Sequence, residues 1–391
     1  MIVAALAVAF SASAQEVTKS EQQSYSELST QLKKNEKRIA VLEKLRKYAK
    51  VSAFMQGQYD WTEDTSGNDK TGTSTFHLRR IRFTIAGDLY EGKGGKLDYR
   101  VYFDLVRIPK NPILDMWVRY QPIKEFGVQF GQFKNPVTFE ASISPSKYDF
   151  IDFSYAVSNL AKMGANDVTG LNETARDIGF QLFGGFIHRD GYSIINYNVG
   201  LLNGSGINTK DNNKSKDIFG KLTIKPSKDF AVAAYYQWGE ANLSSFDEGR
   251  YAKYGWTGSS EYVPMHRWGI GFNYDAKHAF ARAEYLGGLT AKLPSEGMYA
   301  EAGYRHHLPK NAGMLWVGGM VDYFCENCFD YIHRDTKNAI VDMRYSACIG
   351  YQPIKYFRLQ LAYSLEQKIN NTFKNGKQLG SGVKLMLTAS F

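Results

Sequence analysis

The sequence predicts an all-β chain, a transmembrane antiparallel β-barrel of about sixteen strands preceded by a coiled-coil helix. Three observations predict it. From residue 51 to the end, segments of roughly ten residues alternate apolar and polar side chains. The connections between those segments alternate between tight polar turns and longer Gly/Asn/Asp-rich loops. Mean hydropathy is only −0.38 although the chain holds 26 Tyr, 24 Phe and 36 Gly against 10 Pro. Many aromatics at low hydropathy suit strands that are apolar on one face only.

The stretch TFHLRRIRFTIAGDLY (75–90) shows the logic. With period 2, Ile81, Phe83 and Ile85 share one face, and Arg80, Arg82 and Thr84 share the other. Taken alone, it also fits a half-buried strand of a water-soluble sheet. In a membrane, an arginine on the lipid face near the midplane costs about 2–4 kcal/mol, so Arg80 and Arg82 must face a wet interior.

Residues 1–14, MIVAALAVAFSASA, form an apolar run ending in the A-x-A pattern of a secretory cleavage site. They read as a signal peptide shortened at its start, with cleavage after Ala14; the alternative is a core helix. A polar linker, 15–24, leads to 25–50. There Leu28, Leu32, Asn35, Ile39 and Leu42 recur at spacings of three and four, a coiled-coil seam with a polar residue that fixes register. The alternative is one amphipathic helix lying on the barrel or plugging it.

Strands are predicted at 51–61, 75–90, 96–107, 112–121, 126–134, 176–189, 192–202 and 217–225. The second half adds 230–239, 265–274, 279–289, 297–308, 314–324, 338–352, 357–367 and 381–391. Each is near the length a tilted barrel strand needs to cross a bilayer. Turns such as HRDG (188–191), PSKD (226–229) and DAKH (275–278) fall on one side, and long loops such as 62–74, 135–175 and 240–264 on the other. No run of roughly 18 apolar residues occurs, which excludes a helical membrane protein. No fixed repeat period supports a soluble propeller or solenoid.

Face assignment along the strands puts Arg80, Arg82, Arg100, Arg119, Lys134, Lys221, Arg267, Arg282, Arg305, Arg344, Arg358 and Lys384 inside. Guanidinium groups lining a narrow pore attract anions. The same wall carries Asp98, Asp104, Asp115, Glu284, Glu301 and Asp342, so part of this charge is expected to pair across strands. The net charge of +9 is spread along strands rather than gathered in a patch, which disfavours a nucleic-acid partner.

In order along 51–391, the chain resembles the phosphate-selective porin O/P family of Gram-negative outer membranes. The likeness rests on FHLRRIRFTIAGDL (76–89), DYRVYFDL (98–105), LDMWVRYQP (114–122), VQFGQFKNPVTFE (128–140), RDIGFQLFG (176–184) and the closing strand. The resemblance implies a sixteen-stranded barrel, a homotrimer, and a long loop, here Asn135–Ala175, folded inward as the constriction. Phosphate-binding members crowd basic residues there, whereas this loop carries Glu140, Asp149, Asp152, Asp167 and Glu173 against Lys147 and Lys162. The expectation is therefore a passive channel for small hydrophilic solutes with a mild anion preference, phosphate and polyphosphate being candidate solutes.

The last strand ends KLMLTASF, and its terminal Phe391 resembles the signal read by barrel-assembly machinery. Cys325-Glu326-Asn327-Cys328 lies in a predicted loop, where a local disulfide is favoured over half of a zinc site. No metal site or cofactor is expected. No nucleophile–base pair or phosphate loop appears, so an enzyme is not expected. The other function kept open is a structural or adhesive anchor between outer membrane and cell wall. The helix at 25–50 is expected in the periplasm.

Overall fold

The computed structural model describes residues 24, 26–43, 46–64, 72–163, 174–211, 213–242, 262–328, 340–369 and 376–391. The proposed signal peptide, almost all of the linker, and Asp167 and Glu173 lie outside them.

Sixteen strands follow a helix α1 (26–43). They are β1 (Lys50–Asp64), β2 (Thr73–Gly92), β3 (Gly95–Asp104), β4 (Ile113–Ile123), β5 (Phe126–Lys134), β6 (Arg176–Arg189), β7 (Tyr192–Leu202) and β8 (Asp217–Ile224). The second half has β9 (Phe230–Asn242), β10 (Tyr262–Asp275), β11 (Ala279–Thr290), β12 (Leu293–His307), β13 (Met314–Glu326), β14 (Ile340–Ile354), β15 (Phe357–Ile369) and β16 (Lys377–Ser390). Two short helices, α2 (Phe139–Ser142) and α3 (Tyr155–Leu160), interrupt the long segment between β5 and β6. Every strand pairs antiparallel with its chain neighbours, and β1 pairs with β16, which closes the barrel.

The observed strands run past the predicted ends mainly on the long-loop side. β1 reaches Asp64, β10 begins at Tyr262 and β16 begins at Lys377. Beyond the bilayer both strand faces meet water, so the alternation that marks a strand in sequence fades while the hydrogen-bond ladder continues. The outer face is apolar: Trp268, Ile270, Phe272 and Tyr274 on β10 are all exposed at the barrel surface. No helix among the described residues is long and apolar enough to cross a membrane, which says nothing of strands.

An empty barrel would need no inward-facing core, yet this one has two. Val137, Ala141, Ala156, Val157 and Leu160 of the inserted segment pack on Phe219, Leu286, Tyr299 and Phe324 of the wall. Tyr148 and Phe150 pack on Phe280, Trp316 and Met320. Gly297 on β12 makes room for α3, since a Cβ there would lie 2.8 Å from the Ala156 Cβ. The segment therefore lies inside the barrel against β8 and β11–β13. The other side of the lumen, towards β2, β5 and β16, is left to polar and charged side chains.

Helix α1 is exposed along its length, with Leu28, Leu32, Ile39 and Leu42 each more than half accessible. Just before β1, the Tyr48 carbonyl accepts from the Tyr99 hydroxyl of β3 at 2.9 Å.

Candidate functional site

Wall carboxylates on three successive strands hold the inserted segment. Glu284 on β11 accepts the backbone N–H groups of Phe139 (2.8 Å) and Glu140 (3.1 Å), the otherwise unpaired donors at the start of α2. Glu301 on β12 accepts the Tyr148 hydroxyl at 2.8 Å. Asp322 on β13 accepts the Tyr155 N–H at 3.2 Å, at the start of α3. Further along the same wall, Trp316 Nε1 on β13 and Gln360 Nε2 on β15 donate to the Asp149 carbonyl at 3.0 and 3.1 Å, and Arg358 donates to the Ser146 carbonyl at 2.8 Å.

The acidic residues of the segment face these anchors. Glu140 is fully buried, accepts the Ser154 N–H and hydroxyl, and lies within hydrogen-bond distance of the Tyr148 hydroxyl. Burial, and then the nearby charge of Glu301, push its carboxyl up to about 8. Asp149 accepts from Arg305 at 2.6 Å and lies 3.8 Å from Arg358. Asp152 bridges Arg79 (2.7 Å) and Lys384 (2.5 Å). Burial alone would raise its carboxyl, but those two cations hold it well below the usual carboxylate range. Lys162 lies 3.5 Å from Asp217, and Lys147 is exposed. Glu140, Asp149 and Asp152 are neutralised or paired where the segment docks.

Beside the segment lies a cavity of about 300 Å³, lined by Arg79, Arg80, Arg82, Lys134, Arg176, Arg344 and Lys384 against Asp152 and Glu366. Several of these cations have carboxylate partners behind them. Arg82 pairs with Asp104 at 2.9 Å, Arg176 with Asp115 at 2.6 Å and Arg344 with Asp322 at 2.7 Å. Arg80 donates only to the Gln56 amide oxygen, at 2.9 Å, and Lys134 to the Ala141 carbonyl, at 2.5 Å. Neither has a carboxylate within ion-pair distance among the described residues.

The other wall cations lie apart from this cavity and are held by neighbouring side chains or backbone. Arg119 forks onto Asp98, Arg282 pairs with Glu301, and Arg100 lies 3.3 Å from Asp115. Arg267 holds Thr290 and the His266 carbonyl, while Lys221 sits 4.7 Å above the Phe139 ring.

Face counting misses Arg79. A bulge between Gln56 and Gly57 leaves Arg79 as an extra residue on β2, so Arg79 and Arg80 both point inward while Leu78 faces lipid. The signal was present: two adjacent arginines cannot share one face of a regular strand, and one on the lipid face is too costly. Arg176, Tyr148 and Ser154 also matter here, and nothing local in the sequence marks them.

The expected Cys325–Cys328 disulfide is not formed; Cys325 is a free thiol. β13 runs on through Glu326, which keeps Cys325 buried in extended backbone rather than in a loop. Cys348 is also free and packs inside the barrel, its Sγ 3.5 Å from the Asp149 carbonyl.

Gly131, in the GQFK stretch, has φ +127, and a Cβ there would lie 2.2 Å from the Met116 carbonyl oxygen. The glycine lets β5 press on β4 just before the chain turns inward.

A closed sixteen-stranded barrel, apolar outside and narrowed inside by a docked segment beside a basic cavity, defines a channel of the porin class. The chain belongs to the family described as phosphate-selective porin O and P, which matches residues 51–387, and is an outer-membrane porin. Among solved structures it is similar to an anion-selective porin from Comamonas acidovorans, with TM-score 0.60 and 10% identity over 88% of this chain and 99% of that one. OprB of Pseudomonas putida gives 0.61 and 10% over 90% and 96%, and the trimer form of OmpT of Vibrio cholerae 0.57 and 10% over 88% and 100%. At such identity the likeness is one of fold. A comparison with curated proteins found no match.

Proposed function

We propose that this porin passes small hydrophilic solutes with a preference for anions, set at the cavity beside the docked segment. The observation that carries it is Arg80, a cation with no carboxylate partner among the described residues, facing a cavity with six other basic side chains. In a wet lumen such a charge attracts a passing anion by on the order of 1 kcal/mol, enough to bias permeation without trapping. Inorganic phosphate fits as one such solute. An Arg80→Ala pore in a planar bilayer under a salt gradient should shift its reversal potential towards cations, with the anion-to-cation permeability ratio falling about fivefold. A wild-type pore that already prefers cations would overturn the assignment.

We further propose that α1 stands in the periplasm as a coiled-coil stalk of a homotrimer. Its exposed leucine seam, with Asn35 in register, supports this. Both ends of an even-stranded barrel lie on the short-turn side, which is periplasmic in outer-membrane barrels. The exposure of Phe391, three-quarters accessible beside β1, supports its recognition by the assembly machinery. Deleting residues 20–46 should weaken the trimer in native mass measurements. An unchanged trimer would assign association to the barrel walls alone.

A further inference from the structure

The Tyr148 hydroxyl lies between two carboxyls, with Glu140 Oε1 on one side and Glu301 Oε2 on the other. A phenol has one hydrogen and can donate to only one of them. Both carboxyls are buried, and their other contacts come from donors. Ser154 gives Glu140 an N–H and an O–H, and Arg282 donates to Glu301. The Ser154 oxygen also accepts from the Val157 N–H, and its own hydrogen is directed at Glu140 Oε2. The second Tyr148 contact is therefore a hydrogen bond only if one carboxyl keeps its proton. Glu301 faces a guanidinium, which leaves Glu140 as the acid. Its O–H donates to the Tyr148 oxygen, and the Tyr148 O–H donates to the Glu301 carboxylate.

We propose that this single held proton is a latch. The constriction segment docks with Glu140 protonated, and undocking releases that proton to solvent, so docking weakens as pH rises. The neighbouring charges do not replace the proton. Glu284 is occupied by the backbone of α2 and by the Tyr299 hydroxyl. Among the described residues Lys134 reaches the Ala141 carbonyl, and Lys221 covers the Phe139 ring.

The sign follows from linkage. A carboxyl held at about 8 when docked, against about 4.5 when free, stabilises the docked state fully below the free value. That advantage is lost steadily as pH rises from about 5 to 8 and then levels off. One proton corresponds to about a tenfold change in the docking equilibrium per pH unit across that window. The latch rests on the assignment of this segment as the pore constriction only for its effect on conductance, not for docking itself.

The test is amide hydrogen exchange of residues 139–160 in the full-length protein in detergent, corrected for intrinsic exchange. Protection in wild type should fall about tenfold per pH unit between pH 5 and 8. Glu140→Gln keeps an N–H donor for Tyr148 at every pH and should be flat. If Glu140→Gln does not give a heat-modifiable barrel, Glu301→Gln serves, because Tyr148 can then donate to an ionised Glu140; it too should be flat. A flat wild-type profile, or an unchanged slope in the variant that folds, overturns the latch. Wild type that shows the slope but conducts no ions in a bilayer keeps the latch and overturns the pore assignment.

Discussion

Replacing Arg82 by Ala is expected to destabilise the barrel by about 3–5 kcal/mol, the usual effect of breaking a buried ion pair from one side. Arg82 is 5% exposed, and its Nε donates to Asp104, itself 3% exposed, at 2.9 Å. The guanidinium lies between the rings of Phe54 and Tyr102, with centroids at 6.0 and 5.6 Å. Removing it leaves Asp104 buried with only a long contact from the Ile81 N–H at 3.4 Å. Urea unfolding in detergent, followed by tryptophan fluorescence, measures the loss. The double variant Arg82→Ala/Asp104→Ala should recover much of it, since no charge is then stranded. Arg80→Ala should unfold at nearly the wild-type urea concentration. Were the stabilities of Arg82→Ala and Arg80→Ala the same, the division of these neighbours into structural and solute-facing cations would be wrong.

Asp149→Ala is expected to loosen the constriction segment and raise single-channel conductance. Asp149 holds Arg305 at 2.6 Å and is the carboxylate facing Arg358, which stacks over the Trp316 ring at 4.4 Å. Arg358 is buried, so losing that carboxylate strands a charge and removes about 3–5 kcal/mol of docking. The three donors to the Asp149 carbonyl survive, so 146–153 should become mobile without the barrel opening. Exchange protection should fall in 146–153 and stay high in the strands. Wild-type conductance and protection in this variant would show that the backbone contacts alone hold the segment.

The two experiments mark where sequence reading of the site stops. Arg80 and Arg82 share one alternating face, and nothing local distinguishes them. Their difference lies in Asp104, twenty-two residues on, which reaches Arg82 through the pairing of β2 with β3. Glu140, Asp149 and Asp152 likewise look like pore acids in the sequence. In the structure they meet Tyr148, Arg305 and Lys384, from eight to more than two hundred residues away.

By itself the sequence determined the strands, their lipid and lumen faces, and the side on which the chain turns tightly; the inward fold of the segment after β5 came only from the family resemblance. These are local consequences of one constraint: each strand must show hydrocarbon an apolar face, and that requirement repeats every second residue. Only the tertiary structure decided which inward charges have carboxylate partners and which do not, and it added Arg79 through a bulge. The physical reason is that a side chain's charge acts through its partners. Those partners come from strands and a docked segment brought together by barrel closure, at separations no periodicity records.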